Sequence, residues 1–291
     1  MKKTLFLLLA ALVVWICLPV LRIRGPDRFS SDRLVVDFAG HFPADEDNEI
    51  SRMILSSLQN NGALSFDYLG HGSQAIAFAS QDGKLVLKLL LSKELQGPKK
   101  GGVRSLLRII PSLRMKWDEE RRTARAKKLS QALNAYALSL RHLKEDTGLI
   151  SLHVHPTERL FPPCVVRDRQ GQVHAIDLDR VVFILQRRVE LLTDRFANIQ
   201  SGEQYERSTK AMRELFERHI RKGISDFNPR FKIANYGFVG DQAIILDTGR
   251  ISYSQATKER PEPELERMNG FFSLWLSNSA TITPCAINSA Q

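Results

Sequence analysis

Gly223-Ile-Ser-Asp226-Phe-Asn228-Pro-Arg-Phe-Lys-Ile-Ala-Asn235-Tyr-Gly237, followed by Gly240-Asp241-Gln-Ala-Ile-Ile-Leu-Asp247-Thr-Gly249-Arg250, is the stretch that decides how this chain is read. It sets Asp226, Asn235 and Asp247 among glycines and short apolar runs. Hard cations take oxygen ligands, and this composition brings such ligands to a phosphate-bound metal between two strands. A plain divalent-metal site built from Asp226, Asp241 and Asp247, as in a hydrolase, is a competing reading.

Working upstream, Ala211, Leu215, Phe216 and Ile220 fall on one side of a helix expected over Ser201 to Lys222. Before it, Leu149 to Gln186 reads as strands: Leu149 to His155, Cys164 to Arg167, Val173 to Asp177 and Val181 to Leu185, with a turn at Arg169-Gln-Gly171. His153-x-His155 would share one strand face as a metal pair, but with no third ligand in evidence both read as ordinary strand histidines. Lys116 to Asp146 reads as one long helix ended by Gly148, with Ala124, Leu129, Leu133, Tyr136, Leu140 and Leu143 on helical periods. Ser92 to Arg114 is basic, contains glycines and reads as a loop.

Further upstream, Gln81-Asp-Gly83 between two strand-like runs is a hairpin signal. Gly70-x-Gly72 precedes it at a strand turn, where glycines leave backbone N–H groups free to approach a polyphosphate. Lys88 lies in the apolar run Leu85 to Leu91. A lysine placed so needs an anionic partner, because an unpaired buried ammonium is costly or gives up its proton. Snorkelling from an edge strand is the alternative. Glu119 or Glu120 of the long helix is a candidate partner.

In this order (glycine turn, hairpin, lysine strand, long helix, strand pair, helix, Asp/Asn loop, Asp-x-Gly) the chain resembles a divergent member of the protein kinase-like superfamily over roughly residues 66 to 252. The resemblance implies an α+β, two-lobed fold, a small antiparallel sheet lobe over about 62–185 and a mainly helical lobe over about 186–276. It also implies ATP and Mg²⁺ as cofactors. Gly70 and Gly72 would belong to the nucleotide loop, with Ala75 near the place of a third glycine. Lys88 would pair the nucleotide's phosphates, and backbone groups around Gln186 would take the adenine. Asn235 and Asp247, the latter in Asp247-Thr-Gly249, would hold the metal.

The departures are equally specific. The family's His-Arg-Asp triplet is absent. Asp226 stands nine residues before Asn235 where the pattern expects five, and Arg230 occupies the expected position. Either the loop carries an insertion and Asp226 is the catalytic base, or the domain only binds, as a pseudokinase or partner-binding module. No Ala-Pro-Glu segment follows Asp247, which favours a compact kinase of the small-molecule or lipid type, with an acceptor the sequence does not name.

The 291 residues are 43% apolar, enough for one large or two small domains. A net charge of +10 favours anionic partners. A nucleic-acid role rests on that charge alone and is set aside, and Lys99-Lys100 and Arg121-Arg122 read as solvated faces. Cys17, Cys164 and Cys285 are too few and too scattered for a disulfide framework or a zinc cluster. Thr4 to Leu21 is almost wholly apolar, at the short end of what spans a bilayer, and no small-residue cleavage site follows it. Residues 1–24 therefore read as an uncleaved membrane anchor. Arg22, Arg24, Arg28 and Arg33 then place the body on the cytoplasmic side. A linker with a short helix at Ile50 to Leu58 covers 25–61, and residues 277–291 read as a flexible tail.

Overall fold

The hairpin expected at Gln81-Asp-Gly83 forms the centre of the structure. In the computed structural model, which describes residues 29–35, 48–58, 63–72, 74–91, 111–226 and 231–279, strands β1 (Leu64–His71), β2 (Ala75–Ser80) and β3 (Leu85–Leu90) run antiparallel. Gly83 donates its N–H to the Ser80 carbonyl, and the Ser80 hydroxyl binds Asp82, closing the turn between β2 and β3. Strands β4 (Leu149–His153), β5 (Cys164–Arg167), β6 (Val173–Ile176) and β7 (Phe183–Arg187) complete a seven-stranded sheet in the order β4-β7-β3-β2-β1-β5-β6. The expected antiparallel sheet is corrected in one respect: β1 and β5 pair in parallel. The β5–β6 hairpin is added there, beside β1.

Alternation along these strands makes two apolar faces. One carries Phe66, Phe78, Leu87 and Phe183, and buries Leu55 of helix α1 (Asn48–Ser57). The other carries Leu90, Leu149, Leu152 and Ile184, and receives Leu133 and Tyr136 of helix α2 (Pro111–His142). Helix α2 begins inside the stretch expected as a loop and stops at His142. A short helix α3 (Lys144–Thr147) then leads to Gly148.

A second core forms from helices α4 (Leu192–Ala197), α5 (Gly202–Arg221) and α7 (Glu262–Asn278) around Phe196, Leu215, Phe216, Phe238 and Phe272. Helix α5 lies where a helix was expected over Ser201 to Lys222, and Ser201 caps it by accepting from the Gln204 N–H. The short α6 (Gln255–Glu259) precedes α7. Against this core lies the hairpin of β10 (Tyr236–Val239) and β11 (Gln242–Ile245), extended by β8 (Glu190–Leu191). Strands β9 (Ile224–Ser225) and β12 (Ser252–Tyr253) make a separate pair.

The chain is thus α+β, with one core around the sheet and another among the helices. The anchor expected at 1–24 and most of the tail expected at 277–291 lie outside the described residues. Among those described, no helix is long and apolar enough to cross a membrane. His153 is a core residue: its ring binds the Val181 carbonyl through Nδ1 at 2.9 Å and Thr157 through Nε2 at 3.3 Å.

Candidate functional site

Sheet register gathers the glycine turn and the lysine. Gly70 pairs with Ala77, Ala77 with Lys88 and Lys88 with Ile184, so these residues form one row across four strands. Their side chains, or the space a glycine leaves, lie on the face turned toward α2. Gly70 sits at a register shift in β1, and a side-chain atom added there would meet nothing within 4 Å. Gly72 donates to the Ala75 carbonyl at 2.8 Å and closes the turn. Beside the lysine, the sheet therefore presents small residues only partly covered.

The hairpin β10–β11 supplies the other half. Tyr236 pairs with Ile245, and the next step out is the Leu246 N–H donating to the Asn235 carbonyl at 2.6 Å. Asn235 and Asp247 are thereby held together at the open end of one hairpin. Asp241 sits at its closed end, six residues from Asp247 along an extended strand, roughly 20 Å away, where it pairs with Arg195. The three-aspartate reading is corrected by this geometry. Among the described residues, no group of three or more His, Cys, Asp or Glu gathers around a metal position.

Lys88 joins the two halves. Its Nζ donates to the Leu246 carbonyl at 3.0 Å, across 158 positions of sequence. Burial lowers its pKa to about 8, and the neighbouring Asp247 charge works against that fall. An ammonium has three donors; among the described residues one is used, which leaves two for an anion placed over the site. The expected helix glutamates do not supply Lys88's partner: Glu119 and Glu120 are exposed and sit roughly 25 Å up the axis of α2 from Tyr136.

Tyr136 is the residue of α2 that reaches the site, and periodicity had marked it only as part of the apolar stripe. Its hydroxyl donates to Asp247 Oδ1 at 3.4 Å, and the Gly249 N–H donates to the same oxygen at 3.1 Å. Burial, reinforced by the Asp247 charge, holds the phenol well above its ordinary pKa, so it remains a donor. Both bonds go to Oδ1. Among the described residues Oδ2 has no protein donor, and it stands on an exposed side chain. One free carboxylate oxygen beside an asparagine fits Mg²⁺, which is commonly held by one or two protein carboxylates together with phosphates and water.

Gln186 is placed behind the site. Its side chain is fully buried in β7, and its amide donates to the carbonyls of Thr147 at 2.6 Å and Leu246 at 3.3 Å. It braces the residue preceding Asp247. A glutamine directly after the apolar run Val181 to Leu185 was the available signal, since a buried amide must find partners.

Asp226 follows β9, whose Ser225 pairs with Ser252, five residues past Asp247. Its carbonyl accepts from Arg267 Nη2 at 3.0 Å, and Arg267 binds both oxygens of Glu264 at 2.6 Å. The Ser225 hydroxyl also donates to Glu264. Burial pushes the Glu264 carboxyl up, but the Arg267 fork and the Ser225 hydroxyl outweigh it and keep the group ionised. This clamp from α7 was not read in the sequence; an acid and an arginine three apart on one helix was its only trace.

The state of Lys88 gives a first measurable consequence. Amine labelling reports the neutral form, so Lys88 should label with a midpoint near its pKa of about 8, where exposed lysines titrate near 10.4. Peptide mapping across pH reads this directly. A bound polyphosphate should move the midpoint upward, and a midpoint near 10 without ligand would contradict the burial described.

No protein-family model matches the chain, and no curated protein does. Among solved structures it is similar to the complex of Rv3197 with erythromycin from Mycobacterium tuberculosis, at 12% identity over 74% of this chain and 54% of that one, with a TM-score of 0.32. It is also similar to the bifunctional kinase-methyltransferase WbdD, at 11% identity over 74% of this chain and 46% of that one, with a TM-score of 0.31. The chain spans about half the length of these two structures.

Proposed function

We propose that this chain is an ATP- and Mg²⁺-dependent phosphotransferase of two-lobed protein kinase-like fold, held at a membrane by residues 4–21 with its body on the cytoplasmic side. The observation that carries the reading is the convergence of Lys88 and Asp247, a buried cation bonded to the carbonyl just before an exposed carboxylate whose charge acts on it, from positions 159 residues apart. A metal site alone would not need the lysine, and a structural lysine would not need the carboxylate.

In this reading Lys88 neutralises the nucleotide's phosphates, while Gly70 and Gly72 let backbone approach them. Asp247 Oδ2 and the Asn235 amide oxygen would hold Mg²⁺, which supplies charge for the transferred phosphoryl group. Tyr136, Gly249 and Gln186 keep Asp247 in place. Asp226 is the base for the acceptor hydroxyl, and the acceptor belongs to the small-molecule or lipid class. Positioning and charge carry most of this chemistry, so a shifted base can still serve.

The test is Mg²⁺-dependent consumption of the ATP γ-phosphate by wild type, Asp226→Ala and Asp247→Ala. Asp226→Ala should lose roughly 10²- to 10⁴-fold, the range for a general base, and Asp247→Ala should be inactive. Equal inactivity of all three, with nucleotide still bound by wild type, supports the second reading, a nucleotide-binding pseudokinase. That reading is favoured by the displaced Asp226 and the clamp that ties its backbone to α7.

A further inference from the structure

The first half of α2 is a stretch of helix that the site does not use. Burial along α2 begins near Leu129 and continues through Leu133, Tyr136 and Ser139, whereas each side chain described between 119 and 128 is exposed. Residues 111–128 extend roughly 27 Å past the packed half. A helix of this length is marginal in water unless one face is covered, and the packing described covers only the other half.

Its chemistry says what covers it. Residues 111–128 hold seven Lys and Arg against three Asp and Glu, a net charge of +4. Residues 93–128 hold twelve Lys and Arg against four Asp and Glu, so about an eighth of the chain carries +8 of its net +10. The complementary surface is anionic and extended.

The sequence also limits how far from a bilayer that helix can lie. Phe29 packs on Phe78 and on His174, with ring centroids 5.5 and 4.9 Å apart, so residue 29 is held against the sheet. Only seven residues separate it from the apolar stretch ending at Leu21, and they reach at most ~25 Å. With that stretch in a bilayer, the body hangs within about one projecting half-helix of the headgroups.

We propose that residues 111–128 of α2 dock on the anionic lipid surface of the bilayer that holds the N-terminal segment. The inference shares the anchor with the proposed function but does not depend on phosphotransfer. Because the attraction is between exposed charges, it weakens as salt shortens the screening length.

The experiment is hydrogen–deuterium exchange of the full chain in nanodiscs of phosphatidylcholine, with or without about one third phosphatidylglycerol. Peptides covering 119–128 should exchange about tenfold more slowly on the anionic discs. That protection should vanish at about 0.5 M salt and in the double variant Lys127→Glu/Lys128→Glu, while 132–142 stays unchanged as the internal control for folding. Equal exchange on both lipids overturns the proposal. So does protection on neutral discs that appears only when an RNA or DNA oligonucleotide is added, since the helix would then be a nucleic-acid surface.

Discussion

Asp247→Asn should fold like the wild type and bind Mg²⁺-nucleotide more than about 100-fold less tightly. Loss of a residue that merely supports a metal ligand costs 10- to 100-fold, and here the ligand itself loses its charge. The asparagine keeps an oxygen for the Tyr136 hydroxyl and the Gly249 N–H, both of which bind Asp247 Oδ1. The fold is therefore spared while the site is discharged. Asp247→Ala would leave both donors without their acceptor, and a buried tyrosine hydroxyl in that state costs about 1–3 kcal/mol. Titration calorimetry with Mg²⁺-ATP and thermal unfolding separate the two effects. Asp247→Asn binding at wild-type strength would remove Asp247 from the site.

The largest effect on stability is expected from Gly237→Ala. A Cβ there would stand 2.4 Å from the Glu190 carbonyl oxygen and 2.9 Å from a Val189 methyl, because β8 runs directly against β10 at this point. The closest atom is backbone, so it cannot be relieved by turning a side chain. A cost of about 3 kcal/mol lies at the upper end of what overpacking produces, and it corresponds to a fall in Tm of roughly 6–12 °C for a folded region of this size. Gly70→Ala is the control: its Cβ meets open space, so stability should change by less than about 0.5 kcal/mol. Equal melting temperatures for Gly237→Ala and wild type would mean that β8 does not pack as described.

The contrast between these glycines shows how far the sequence could be read. Strand and helix positions follow from local periodicity; the Asp82-Gly83 hairpin is a local signal that the structure repeats, and Gly148 ends a helical segment although the long helix itself stops earlier, at His142. Lys88 was legible as a lysine needing a partner, because its apolar neighbours are adjacent in the chain. The partner was not legible, because the Leu246 carbonyl and the adjacent Asp247 are brought to it by tertiary packing across 158 and 159 positions, and the long helix offered Glu119 or Glu120 instead.

Tyr136 shows a different limit. Its place on the apolar stripe of α2 was correct, but the direction of its hydroxyl depends on where Asp247 lies. The parallel β1–β5 pair could not be anticipated, since alternation along Cys164 to Arg167 is the same whichever way its neighbour runs. Asp226 was identified by its residue type within the loop, whereas the Glu264–Arg267 clamp that positions its backbone comes from a helix some forty residues later.

If Lys88, Asn235 and Asp247 form a nucleotide–metal site, thermal unfolding with Mg²⁺-ATP should show it. Ligand at a hundred times its dissociation constant adds ~2.7 kcal/mol, which should raise the wild-type Tm by roughly 5–10 °C. The rise should require both ATP and the divalent ion and should be absent in Lys88→Met. An unchanged wild-type Tm at millimolar Mg²⁺-ATP would mean that these residues do not bind Mg²⁺-nucleotide.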